Sequence, residues 1–174
     1  PNIPEAEEDL EKGFIIPDVR RAESGYMAYH LKDTLELTGN WGAVRVTPTL
    51  TNTVDLQVMG QILLSDGEQL DARIWVIDST GRTWLNKSYK DTASKFSYEA
   101  IKEDPSQDLY NDIANDILMA RNRMSAAEIN NIRQVSELKF AKSLSPDAFD
   151  RYLVEDNGRV QIAQLPAADD VMLT

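Results

Sequence analysis

The sequence predicts an α/β (α+β) fold. We expect a mixed sheet containing a three-strand antiparallel meander, packed by two helices, with a C-terminal helical extension. Apolar and polar residues alternate along most of residues 54–90, and two turn signals interrupt the alternation, which is typical of adjacent strands. Stretches on either side of this region repeat apolar residues at helical spacing. A length of 174 residues is sufficient for one domain with its own core.

The first elements in chain order are predicted to be a strand, a helix and a second strand. Residues 13–16 are a short apolar run between glycine and proline, which favours a buried strand. Residues 21–38 have the spacing of a helix, which Gly39 would end. Residues 43–46 alternate as a short strand that Pro48 would end. The apolar face of the helix is predicted to carry Met27, Leu31, Leu35 and Thr38.

The meander follows, with strands predicted at 54–64, 70–77 and 82–90. An Asp-Gly pair in the first turn is a hairpin signal, and Gly81 stands in the second turn. One face of this sheet would pack on the helices through Leu56, Val58, Ile62, Leu70, Ile74 and Val76. The opposite face would carry Met59, Leu63, Trp75, Ile77 and Trp84, which is an unusually apolar set for a solvated face.

Three helices are predicted after the meander. The first spans residues 105–124, with an apolar stripe of Leu109, Ile113, Ile117, Ala120 and Met124. We expect this helix and the one at 21–38 to lie on the same face of the sheet. Ser125 and Glu128 form a capping box, so a second helix begins at once and runs to about residue 143. A short third helix begins near Ser145, and a turn at Asn157 and Gly158 precedes a short strand at 160–162.

The composition excludes several classes of functional site. There is no cysteine and a single histidine, His30, which excludes disulfide scaffolds, thiolate zinc sites, iron–sulfur clusters and cysteine nucleophiles. We therefore expect no enzyme activity, no metal and no cofactor. The net charge of −11 makes nucleic acid and anionic membrane surfaces poor partners. No apolar run approaches 18 residues, so no membrane span is predicted.

We divide the chain into four parts: an acidic disordered lead at 1-12, an α/β domain at 13-124, a helical extension at 125-155 and a tail or linker at 156-174. The lead and residues 165–174 are acidic or rich in proline and alanine, so we expect neither to belong to the core. The sequence begins with proline instead of methionine. We therefore expect it to be a fragment or mature form of a longer chain.

Three passages carry a resemblance to a known group of proteins. Residues 35–46 read as a helix end, Gly39, Trp41 and then Val-Arg-Val. Residues 54–62 read as an apolar strand with Gly60 near its middle, and residues 76–84 as Val-Ile-Asp-Ser-Thr-Gly-Arg-Thr-Trp. Together they resemble bacterial envelope domains such as the N-terminal domain of the Tol translocation protein, curli-secretion lipoproteins and lipoprotein activators of penicillin-binding proteins. The resemblance covers roughly 13–124.

This resemblance implies a periplasmic or outer-membrane location and an activity based on protein contact. It also implies a lipid anchor, which would lie outside this sequence because the chain has no lipobox cysteine. The function we expect is a non-catalytic assembly or scaffold module of an envelope lipoprotein, docking through a sheet face, a sheet edge or the helical extension. Its partner would be another envelope protein or a second copy of the chain. The alternative is a module that binds a glycan or peptidoglycan fragment.

Two sets of residues are candidates for protein contact. The first is on the apolar second face of the sheet and consists of Met59, Arg73, Trp75 and Trp84, since tryptophan, methionine and arginine are enriched at interface centres. The second is the apolar stripe of the helix after Ser125 and consists of Ile129, Ile132 and Val135. Each set either is covered by the rest of the chain or meets a partner.

Two further features have simple interpretations. His30 lies within a predicted helix, and we expect a surface or half-buried side chain instead of a general base. Asp108, Asp112 and Asp116 recur on one helix face. We interpret them as a solvated face, with a cation site or a dock for a basic partner as the alternative.

Overall fold

The computed structural model describes residues 17–66, 69–92 and 106–167. These ranges contain helices, a three-strand antiparallel sheet and a small two-strand sheet, which confirms the predicted α/β class. The helices are α1 (Pro17–Leu37), α2 (Gln107–Asn122), α3 (Ala126–Leu144) and the short α4 (Pro146–Phe149). The strands are β1 (Leu56–Ser65), β2 (Gln69–Asp78), β3 (Thr83–Thr92), β4 (Leu153–Asp156) and β5 (Arg159–Ile162). The lead at 1-12, the predicted strand at 13–16 and residues 168–174 lie outside the described residues.

The predicted strand at residues 43–46 is wrong. These residues are irregular and belong to neither sheet of the described chain. Val44 and Val46 are only half-buried, and the residues around them are exposed. Alternation over so few residues stabilises a strand only where a neighbouring strand accepts its hydrogen bonds, and no such neighbour is present among the described residues.

The sheet has the order β1-β2-β3, so β2 is central and the other two strands are edges within the described chain. Ala72, Ile74 and Val76 of β2 are 0–1% exposed, as the period of two predicts for the core face. Gly60 of β1 lies close to the Ile74 side chain, since a Cβ at Gly60 would be 3.2 Å from Ile74 Cδ1. The predicted core face of the meander is therefore confirmed in β2. In β1 the predicted members Leu56 and Ile62 are only half-buried, and Val58 is exposed.

The chain divides into two compact units. The first consists of Pro1–Val46, Gly60–Ile74 and Asn86–Leu118, and the second of Thr47–Met59, Trp75–Leu85 and Met119–Thr174. Each of the three long strands thus contributes residues to both units. The units do not divide at residue 124, since the residues after 124 share a unit with two earlier segments.

In the first unit, α1 and α2 pack against each other and against the sheet. Met27, Leu31 and Leu35 are buried as predicted, whereas Thr34 instead of Thr38 completes the buried face of α1. The Gln107 side chain of α2 donates to Thr34 Oγ1 over 3.1 Å. The apolar stripe of α2 is confirmed at Leu109, Ile113 and Ile117, which are at most 3% exposed. Ala120 is only half-buried, and Met124 lies beyond the end of the helix.

Polar contacts tie these helices to the edge strands of the sheet. The Tyr89 hydroxyl of β3 donates to Asp116 of α2 over 2.7 Å, and Lys87 Nζ lies 2.6 Å from the same carboxylate oxygen. Burial, followed by the Asp116 carboxylate, raises the pKa of Tyr89. Ser65 of β1 donates to Glu23 of α1 over 3.2 Å. These contacts attach both helices to the sheet. That the two helices lie on the same face of the sheet stays a prediction.

In the second unit, α3 begins with the predicted capping box. Ser125 Oγ accepts from the Glu128 backbone, and the Glu128 carboxylate accepts from the Ser125 backbone over 2.8 Å. After α4, a 3-10 turn at Asp150–Tyr152 leads into the hairpin of β4 and β5. Asn157 and Gly158 both have positive φ, as the predicted two-residue turn requires. Leu138, Ala141, Phe149 and Tyr152 form the core of this part.

Candidate functional site

β1 combines three properties that together make it the strongest candidate for a binding surface. It is an edge strand of the described sheet, with β2 as its single neighbour there. None of its ten residues is charged, and none is buried. Six are apolar: Leu56, Val58, Met59, Ile62, Leu63 and Leu64. An edge strand exposes backbone N–H and C=O groups to which another strand can bind.

The opposite edge of the sheet has a different chemistry. β3 carries Lys87, Lys90 and Asp91, and its residues from Asn86 to Ser88 are exposed. Lys90 Nζ lies 3.0 Å from Asp71 on the neighbouring strand, while Lys87 pairs with Asp116. Charged side chains, lysine above all, prevent unwanted strand pairing at sheet edges. β3 has this protection and β1 does not.

Carboxylates lie at both ends of β1. Asp66 follows the strand directly, is exposed, and accepts the Gln69 backbone N–H over 2.8 Å. Glu23, half-buried, accepts from Ser65 at the last position of the strand. Asp55 directly precedes the strand, is also exposed, and accepts from the Ser136 hydroxyl through Oδ1. The sequence has no lysine or arginine between Arg45 and Arg73, so the whole segment around β1 is uncharged or acidic.

The predicted contact residues of the sheet have mixed surroundings. Arg73 is exposed, and its Nε donates to Asn86 Oδ1 over 3.0 Å. Met59 and Trp75 are half-buried. Trp84 is also half-buried, and its indole N–H donates to Asp78 Oδ2 over 2.8 Å, so this polar group already has a partner inside the chain.

The predicted contact residues of α3 are largely covered. Val135 is 0% exposed and Ile132 is 6% exposed, while Ile129 is half-buried. Their apolar stripe is therefore packed within the chain itself. The exposed apolar residues at the end of this helix are Phe140 and Leu144, which lie one turn apart.

A buried polar cluster in the second unit has no counterpart among the sequence-based predictions. Asp78 is 5% exposed and ends β2 at the turn into β3. Its Oδ1 accepts from the Thr80 backbone and hydroxyl and from the Arg82 backbone, while Oδ2 accepts from Trp84. Four donors saturate this carboxylate, so it stabilises the turn instead of offering a ligand site.

The same turn is attached to the C-terminal elements. The Ser79 hydroxyl donates to the Ile132 carbonyl over 2.6 Å, and the Val160 N–H donates to the Thr80 carbonyl over 2.9 Å. Arg82 forms an ion pair with Glu128 of the capping box at 2.9 Å. The hydrogen bond from the Ser125 backbone N–H lowers the pKa of Glu128 most. The Arg82 guanidinium and the Ser125 hydroxyl lower this pKa further. α3 and the hairpin therefore complete the fold around this turn.

The remaining candidates are explained by packing. His30 is half-buried between Tyr26 and Tyr110, with ring centroids 4.1 and 5.7 Å away. Asp116 is engaged by Lys87 and Tyr89, so the aspartate face of α2 is partly used for internal contacts. Across the described ranges, no cluster of three or more histidine, aspartate or glutamate side chains has the arrangement to hold a metal ion. Of the helices described, none combines the length and apolarity needed to cross a bilayer.

Lys139 of α3 provides a test of charge burial in the second unit. Desolvation lowers its pKa from 10.5, and Glu155 and Asp78 oppose that shift. A lowered lysine pKa means that the folded state disfavours the charged form of the side chain. The resulting loss of folding free energy is complete at neutral pH and disappears as the pH rises towards 10.5. We expect Lys139→Met to be more stable than the parent at pH 7, and we expect this advantage to shrink towards pH 10. Urea denaturation at several pH values measures it.

The control for this test is Lys142→Met, which removes the same charge from the same helix. Lys142 pairs with Asp150 at 2.5 Å, so we expect its removal to give no gain at pH 7. An equal gain from both variants would show that burial of Lys139 is not the cause.

Comparison with known proteins identifies no relative of this chain, since no protein family, curated protein or solved structure matches it.

Proposed function

We propose that the chain is a non-catalytic assembly or scaffold module of the bacterial cell envelope, and that it acts by binding another protein along the edge of β1. The observation that carries the proposal is the chemistry of β1, an uncharged edge strand with six apolar residues and no buried one. The resemblance of residues 35–46, 54–62 and 76–84 to envelope lipoprotein domains supports a periplasmic location, next to or anchored at the outer membrane.

Strand addition is the form of binding that such an edge favours. An extended segment of a partner forms main-chain hydrogen bonds with the edge, and its alternate side chains pack on the sheet. An unprotected edge is also an aggregation hazard, which natural proteins usually prevent with charge, proline or bulges. The presence of that protection on β3 and its absence from β1 favours a role for β1 in binding.

The glycan-binding alternative depends on exposed tryptophan rings. Trp41, Trp75 and Trp84 are all half-buried, and the indole N–H of Trp84 is bound to Asp78. No observation in the described chain therefore favours this alternative over protein contact.

The test introduces one charge into β1. We expect Gln61→Lys to weaken partner binding at least about tenfold, because Gln61 is an exposed residue in the middle of the strand and a lysine there reproduces the protection found on β3. Ser88→Lys is the matched control, since Ser88 is an exposed residue of the other edge strand. The purified proteins are immobilised and incubated with bacterial envelope extract and with cytosol. The retained protein is identified and then tested in purified form.

The proposal predicts one pattern. The parent and Ser88→Lys retain the same envelope protein and bind it equally when it is purified, whereas Gln61→Lys weakens that binding at least tenfold. Circular dichroism and thermal melting show that all three proteins are folded alike. Equal binding by Gln61→Lys, or a partner found in cytosol alone, would contradict the proposal.

A further inference from the structure

The carboxylates around β1 indicate what kind of segment this edge binds. Resting on the function proposed above, we infer that the partner contributes an extended segment of about ten residues that is apolar at alternate positions and basic at both ends. Asp55 precedes β1, Asp66 follows it, and Glu23 accepts from Ser65 at its last residue. Between them the strand has no charge.

The length of the segment follows from the length of the strand. Ten residues in extended conformation span about 33 Å, so a fully paired segment has about as many residues. Side chains directly opposite one another in neighbouring strands interact, and opposite charges there are favourable. Lysine or arginine at each end of the segment would therefore lie near Asp55 and near Asp66 with Glu23, while its apolar residues would meet those of β1.

The same carboxylates disfavour a second copy of this chain as the occupant. Two β1 strands pairing antiparallel about Gly60 would bring Asp55 of one copy next to the end of the other strand, where Asp66 stands. Both ends of the pair would then combine like charges. Each copy also has a net charge of −11, which adds long-range repulsion. Charge complementarity thus favours a different protein with a basic segment.

Three synthetic peptides test the inference in fluorescence anisotropy with the full chain. The first alternates valine and threonine over eight residues and has two lysines at each end and a neutral fluorophore. The second has glutamates in place of the lysines. The third keeps the lysines and has proline at two central positions, which removes main-chain donors and strand pairing. We expect the lysine peptide to bind at least about tenfold more tightly than the glutamate peptide at low salt, with a smaller difference at high salt.

Two variants locate the charge effect. We expect Glu23→Gln with Asp66→Asn to reduce the preference for the lysine peptide several-fold, because the double variant removes two negative charges beside the end of β1. Each new amide keeps an oxygen that can accept the existing hydrogen bond from Ser65 or Gln69, so the local structure should be retained. Asp112→Asn, which removes an exposed carboxylate from α2, is the control and should leave the preference unchanged. Gln61→Lys should weaken binding of the lysine peptide.

The other outcomes separate failure of the inference from failure of the proposed function. Equal affinity for the lysine and glutamate peptides, with both lost in Gln61→Lys, would overturn the basic segment and leave β1 as the binding edge. Equal binding of the proline peptide would show general electrostatic attraction and overturn the inference. A dimer in light scattering that Gln61→Lys dissociates would make a second copy the occupant. If no peptide binds and Gln61→Lys also leaves protein capture unchanged, the proposed function itself fails.

Discussion

Replacing Gly81 with alanine should reduce the free energy of unfolding by about 3 kcal/mol or more. Gly81 has φ +80°, a conformation that costs an L-residue about 1–2 kcal/mol. A methyl group there would also overlap the backbone carbonyl of Gly158 in the turn between β4 and β5. A backbone group in a tight turn cannot move away as a flexible side chain does. The loss is therefore larger than the conformational cost alone, and chemical denaturation measures it.

Gly39→Ala is the matched control for this prediction. Gly39 follows α1 with φ +66°, and an added Cβ there would have no neighbour within 4 Å. The free energy of unfolding of this variant should fall only by the conformational cost of about 1–2 kcal/mol. Equal destabilisation by the two substitutions would contradict the prediction, because it would mean that the overlap with Gly158 adds nothing to the cost of the methyl group at Gly81.

Replacing Asp78 with alanine should reduce the free energy of unfolding by about 3 kcal/mol, since a buried donor that loses its acceptor costs about 1–3 kcal/mol. The substitution removes the acceptor of two Thr80 groups, of the Arg82 N–H and of the Trp84 indole. Thr80 is 6% exposed, so water replaces the lost partner poorly. Chemical denaturation gives the loss, and the NMR signal of the Trp84 indole proton should shift.

Asp147→Ala is the control for general effects of removing an acidic residue. Asp147 is exposed in the short helix α4, and substitutions at such positions usually change stability by less than about 0.5 kcal/mol. If Asp78→Ala cost no more than this control, the carboxylate would not be the centre of the turn. An unshifted Trp84 indole signal would contradict the hydrogen bond between them.

The parts of the fold that could be predicted from the sequence are those specified by nearby residues. The capping box of Ser125 and Glu128, the turn at Asn157 and Gly158 and the alternation in β2 each depend on a few neighbouring positions. The strand expected at 43–46 depended on a partner strand, which local alternation does not specify. Local order was predictable, and long-range pairing was not.

The candidate site could likewise be predicted only in part. The absence of charge from residues 56–65 is visible in the sequence, but the position of β1 at an edge becomes visible only in the strand order. The sequence predicts Trp84 on an apolar face that either the rest of the chain or a partner covers. Its bond to Asp78 depends on the geometry of the turn between them, which residue spacing does not reveal.

The attachment of the β2–β3 turn to later parts of the chain has a consequence for the time course of folding. Ser79 bonds to a residue 53 positions later, and Ser136 donates to Asp55, 81 positions earlier. Closing such loops costs entropy before the contacts are gained, and contacts of high sequence separation slow folding. During synthesis, residues 47–59 and 75–85 leave the ribosome well before α3 exists. These segments therefore gain their contacts with α3 only late in the synthesis of the chain.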